Sequence, residues 1–188
     1  LRQPEQRIIS AWRDTQHSWP YPQKPFAMDI REFAEGIQGC ATKMLTRGGD
    51  SYYMNTSSFR VTYGPHWGGP CGSPRKPSAG EIALAKARLQ DFVFVGITGQ
   101  WQLSMCLFHT IMGTHCQASD FTDSRTKDNE AHPDYNAEAR LDGFHDPYDG
   151  ELYEYALALF TQKLAEYGLS PQACKPCFDE AGVRFTNS

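Results

Sequence analysis

The chain has 188 residues, 40% of them hydrophobic and 13% aromatic, with a formal net charge of −4. That length and composition predict one folded domain (1–188) able to bury a sizeable core, and exclude a disordered chain. The mild acidity leaves no electrostatic footprint for nucleic acid, and no apolar run is long enough to span a membrane. No signal peptide is visible.

The first thirteen residues, LRQPEQRIISAWR, read as an extended exit, an arginine, and a helix from Pro4 to about Asp14. Proline suits the first helical position, where its missing N–H would lack a partner anyway. Ile8, Ile9 and Trp12 recur at helical spacing. Arg2 precedes a helix start, where orphan N–H groups favour an anion. With Ser10 it supplies donors suited to a phosphate. The run from Trp19 to Pro25 is too rich in proline for a helix. Asp29 caps a helix through Arg31, Phe33 and Ala34. Residues 48–78, rich in Gly, Pro and Ser, form a long irregular loop with a short strand over Phe59–Tyr63. Ser78 and Glu81 make a capping box for a helix over Ala79–Leu89.

Asp91-Phe-Val-Phe-Val-Gly96 is nearly all apolar and predicts an interior strand of a parallel sheet. Residues 96–99 turn, Trp101–Met112 is a helix, and Gly113 stops it. Residues 114–143 form a second long irregular loop. Asp146 and Pro147 start the last long helix, and Gly168 ends it. Its apolar face is Leu152, Ala156, Leu159, Phe160, Leu164 and Tyr167.

The segment Leu1–Arg13 resembles the 3′-phosphate-binding segment of sulfotransferases that use 3′-phosphoadenosine 5′-phosphosulfate. In that family an Arg at a strand end and a Ser eight residues later hold the 3′-phosphate; Arg2 and Ser10 match that spacing. Leu89–Gly113 is similar to the late strand–turn–helix of carbohydrate-type sulfotransferases and their algal and protist relatives, and Asp146–Phe160 to their C-terminal helix. The resemblance implies a three-layer, P-loop nucleotide-kinase-like α/β fold with a parallel sheet. This chain is then expected to be the C-terminal portion of a longer one, without the first strand and phosphate loop. The implied activity is sulfuryl transfer to a hydroxyl acceptor of the carbohydrate class. Relatives place a loop near the nucleoside where Asp123, Arg125 and Lys127 stand here, although the usual residue at 123 is Asn. Gly99 replaces the acid of the relatives' Thr-Glu-x-Trp.

The catalytic base and the lysine of the phosphate cradle precede the Arg-to-Ser segment in the family, and no G-x-x-x-x-G-K-[ST] occurs in this chain. A second reading is therefore an inactive, sulfotransferase-derived structural subunit with protein partners in a larger assembly. A third is a binding module for an anionic ligand.

Six cysteines predict disulfides in an oxidising compartment, with free buried thiols as the alternative. Pairing as neighbours joins Cys40 to Cys71 and Cys106 to Cys116, and leaves Cys174 and Cys177. Asn55-Thr-Ser is a glycosylation sequon that agrees with a lumenal, Golgi-like setting. Cys106, His109, His115 and Cys116 are near enough in sequence to consider as metal ligands. A satisfied core or boundary histidine is the preferred reading of His109.

Overall fold

Most of the long helices start where the sequence supplies a cap or a proline. In the computed structural model, residues 1–17, 29–48, 55–56, 59–60, 70–122 and 140–185 are described. Helix α1 (Pro4–His17) opens on Pro4, with the Gln3 side chain accepting from the N–H of Gln6 at 2.8 Å. Helix α2 (Ile30–Ile37) is capped by Asp29, whose carboxylate accepts from the Arg31 N–H at 2.7 Å. Helix α3 (Cys40–Thr46) follows directly. Between them, Gly39 adopts φ +66°, and a Cβ there would lie 2.4 Å from Cγ of Pro77. Only glycine fits both the left-handed turn and the proline above it.

A two-residue antiparallel ladder follows, β1 (Asn55–Thr56) against β2 (Phe59–Arg60), with Asn55 opposite Arg60. It covers the start of the expected 59–63 strand; Val61–Tyr63 lie outside the described residues. Helix α4 (Ala79–Gln90) carries the expected capping box: Ser78 Oγ accepts from the Glu81 N–H, and the Glu81 carboxylate accepts from the Ser78 N–H at 2.9 Å. Helix α5 (Trp101–Met112) ends at Gly113 in the left-handed conformation. Helix α6 (Pro147–Glu166) is capped by Asp146, which accepts from the N–H groups of Tyr148 and Asp149 at 3.1 Å. Its inner face is Leu152, Ala156 and Phe160; Tyr167, expected on that face, is 42% exposed. Helix α7 (Lys175–Glu180) closes the described chain.

The chain packs into two compact units. The first comprises residues 1–2, 89–134 and 154–188. Its apolar cluster is built on Cys106, Cys174 and Phe178, with Phe121 edge-on and Phe185 stacked against the Phe178 ring. The second comprises 3–88 and 135–153, and its core joins Ile8, Ile9, Phe33, Ala34, Ile37, Leu141 and Phe144.

The expected parallel-sheet α/β fold is not found. The described architecture is helical, and the β1–β2 ladder is the only sheet among the described residues. Phe92–Val95, expected to be an interior strand, carries Phe92 at 50% and Val93 at 68% exposure. An apolar run becomes a buried strand only if neighbouring backbone satisfies its N–H and C=O groups. Here the backbone of Val93, Phe94 and Val95 has no hydrogen-bond partner among the described residues.

All six cysteines are paired: Cys40–Cys71, Cys106–Cys174 and Cys116–Cys177. The first is the neighbour pairing expected; the expected Cys106–Cys116 bond is not made. Cys106 faces inward from α5, whereas Cys116 lies beyond the chain reversal at Gly113. Cys174 and Cys177, one helical turn apart at the start of α7, each take one of them.

Candidate functional site

Leu1 and the turn before α5 form the first candidate. The Leu1 amino group donates to Gly96 O, and the Thr98 N–H donates to Leu1 O at 2.8 Å. These bonds flank Ile97 in the pattern of a parallel pairing. Ile97 is buried, and its own N–H and C=O both bond to Ser104 Oγ, at 2.9 and 3.0 Å. One hydroxyl of α5 thus completes the residue between the two Leu1 bonds. Arg2, half-buried, is the next residue of this unit, whereas Ser10, also half-buried, belongs to α1 in the second unit. Arg125, Lys127 and Asp123 lie outside the described residues, as does the side chain of Asn55 in β1. Gly99 is exposed, and a Cβ built there meets nothing within 4 Å, so nothing steric requires glycine.

The second candidate was not legible in the sequence. Asp149, on α6, reaches the start of α3: its carboxylate accepts from the N–H groups of Ala41 and Thr42 at 2.8 and 2.9 Å and from Thr42 Oγ1 at 2.8 Å. Arg7 of α1 donates to the same carboxylate at 2.6 Å. Asp146 accepts from the Gly39 N–H at 2.8 Å. Burial, then the neighbouring Asp149 charge, pushes the Asp146 carboxyl up. Lys43, fully buried one turn further along α3, donates to Ser73 O at 2.8 Å. Burial, reinforced by the charges of Lys76 and Arg47, lowers its pKa to about 8. Arg47 grips the Glu81 carboxylate with two nitrogens, at 2.6 and 3.2 Å, and holds that carboxyl at about 2. Each of these charged side chains has a hydrogen-bond partner, the pattern of a structural network rather than of a waiting site. The only sequence signal was Asp146-Pro-Tyr-Asp149 at a helix start.

The third feature is His109, buried and bonded at both ring nitrogens as a boundary histidine should be. Nδ1 meets Thr114 Oγ1 at 2.8 Å and Nε2 meets Asp120 Oδ2 at 2.9 Å. His115 pairs with Glu180 at 3.1 Å, and His145 lies 3.6 Å from Glu5. The sulfurs of Cys106 and Cys116 are committed to disulfides and therefore do not serve with His109 as ligands. Among the described residues no group of three or more His, Cys, Asp or Glu side chains is arranged to hold a metal ion. No described helix is long and apolar enough to cross a membrane. Three disulfides fit an oxidising, secreted or lumenal setting. No family model, curated protein or solved structure matches the chain.

Proposed function

We propose that the chain carries the 3′-phosphate-binding part of a sulfotransferase. Such an enzyme moves a sulfuryl group from 3′-phosphoadenosine 5′-phosphosulfate to a hydroxyl of a carbohydrate-class acceptor. The observation that carries this reading is the bonding of Leu1 to Gly96 and Thr98. It ties the residue before Arg2 to the extended segment that precedes α5, and these are the two stretches that resemble the family. Arg2 offers a planar fork to the phosphate. Arg125 and Lys127, which the resemblance would assign to the nucleoside, lie outside the described residues. During transfer the acceptor oxygen bonds to sulfur as the bond from sulfur to the bridging phosphate oxygen breaks. Adenosine 3′,5′-bisphosphate leaves, and the acceptor proton passes to a base that the sequence of this chain does not identify. The compartment proposed is the Golgi-like lumen, with Asn55 glycosylated.

A second reading is favoured by one feature. Phe92, Val93 and Trp101 are about half or more exposed in the first unit (50%, 68% and 49%), an apolar surface suited to protein contacts. That reading is an inactive sulfotransferase-derived subunit held in a larger assembly, and Gly99 in place of an acid agrees with it.

Calorimetry decides between them. Adenosine 3′,5′-bisphosphate should bind more tightly than adenosine 5′-monophosphate, and Arg2→Ala should remove about 1.5–3 kcal/mol of that binding. Equal affinity for the two nucleotides, or no binding of either, would overturn the 3′-phosphate site.

A further inference from the structure

We propose that Thr114, His109 and Asp120 form a hydroxyl nucleophile site able to take an acyl group from an activated ester. The inference is independent of the nucleotide reading and rests on three side chains in series. The Asp120 carboxylate lies 2.9 Å from His109 Nε2, and His109 Nδ1 lies 2.8 Å from Thr114 Oγ1. A carboxylate on Nε2 selects the tautomer that carries its proton there, which leaves Nδ1 as the acceptor for the threonine hydroxyl. Hydroxyl, imidazole and carboxylate in that order are the parts of a nucleophile with its general base and the group that orients the base.

The surroundings hold the series in place. The Asp120 carboxylate also accepts from the Gln117 N–H at 2.7 Å, and Asp120 O accepts from Trp101 Nε1 at 2.7 Å. The Phe108 ring stands edge-on to the imidazole, with centroids 5.3 Å apart. Thr114 follows the left-handed Gly113, its N–H bonded to His109 O at 3.0 Å, and the Cys116–Cys177 bond anchors the chain two residues on.

The division of burial matters most. The imidazole is buried whereas Thr114 as a residue is exposed, so the base is shielded while the residue that carries the nucleophile lies at the surface. The N–H groups of His115 and Cys116, directly after Thr114, have no acceptor among the described residues. Such groups next to a nucleophile are the usual source of donors for an oxyanion.

In the step proposed, Thr114 Oγ bonds to the carbonyl carbon of the ester and its proton moves to His109 Nδ1. The carbon–oxygen bond to the leaving alcohol then breaks, and that alcohol departs with the proton from Nδ1. Asp120 stays ionised throughout. Water repeats the sequence on the acyl-threonine, releasing the acid and restoring the hydroxyl.

The test uses p-nitrophenyl acetate as the probe, with release of p-nitrophenol followed by absorbance and the adduct located by peptide mass mapping. Acetylation is expected at Thr114, retained in Thr114→Ser and absent in Thr114→Val. Asp120→Asn keeps the shape but favours the wrong tautomer, and should slow the reaction by about 10²-fold or more, the scale of a lost general base. His109→Gln should do the same. Disulfide mapping of each variant confirms that it has folded. An acetyl group found only on lysines or the amino terminus would overturn the proposal. A Thr114 adduct formed at the same rate in folded Asp120→Asn and His109→Gln would also overturn it, leaving a structural tie.

Discussion

The hydroxyl of Ser104 serves both backbone groups of Ile97, accepting from its N–H at 2.9 Å and donating to its C=O at 3.0 Å. Ile97 is buried, and its C=O also accepts from the Gln100 N–H at 2.9 Å, so it is the N–H that depends on Ser104. Ser104→Ala should destabilise the protein by about 1–3 kcal/mol, the cost of leaving a buried polar group unmet. Denaturant titration would register a lower midpoint at unchanged slope. A midpoint equal to that of the native protein would mean that another acceptor reaches the Ile97 N–H.

Hydrogen exchange should divide the segment before α5 sharply. The amides of Val93, Phe94 and Val95 have no acceptor among the described residues, whereas those of Ile97 and Thr98 are bonded. The first three should exchange at close to unfolded-chain rates and the last two should be protected. Protection throughout 93–95 would reveal a strand partner on this segment and reopen the question of its fold.

Disulfide mapping under non-reducing conditions should recover peptides joining Cys106 to Cys174 and Cys116 to Cys177. Replacing Cys106 and Cys174 together by alanine opens a loop of 68 residues and should cost about 2–4 kcal/mol. The Cys40–Cys71 bond should survive that change, because it lies in the other unit. Recovery of a Cys106–Cys116 peptide would restore the neighbour pairing.

Lys43 gives the stability a pH dependence of definite sign. Its pKa falls from an ordinary 10.5 to about 8 on burial, so between those values the unfolded chain binds a proton that the folded chain does not. Stability should therefore rise with pH from about 8 to 10.5, by at most about 3 kcal/mol. Lys43→Met keeps the length of the side chain and removes the titration. Denaturation midpoints of the two proteins across that window should diverge, with the native chain gaining more stability because the lowered Lys76 titrates in both; parallel curves would place the Lys43 ammonium in solvent.

Local chemistry was largely legible from the residues. Asp29, Ser78 with Glu81, Asp146 with Pro147, and the stops at Gly113 and Gly168 all act through bonds spanning a few residues. Such bonds depend on residue type and spacing alone. Cys40 and Cys71 were paired correctly for a similar reason, both flanking one loop-rich stretch. The candidate sites were less legible. Thr114, His109 and Asp120 meet only because the chain reverses at Gly113 and a short turn swings Asp120 back. Asp149 sits a few residues into its own helix but spends its carboxylate on the first turn of another.

By itself, then, the sequence determined where α1, α2, α4, α5 and α6 begin, that a core would form, and that the cysteines suit an oxidising setting; α3 and α7 were not legible in it. Tertiary structure decided the rest: that Phe92 and Val93 lie exposed and Phe94 and Val95 half-buried instead of inside a sheet, that Cys174 and Cys177 each take one of Cys106 and Cys116, and that Lys43 is buried on the Ser73 carbonyl. The reason is the range of the interactions. A cap or a turn is satisfied by groups a few bonds away, whereas burial, strand pairing and disulfide choice depend on which distant surfaces meet. An apolar run states that it would gain from cover, but the covering atoms belong to other parts of the chain.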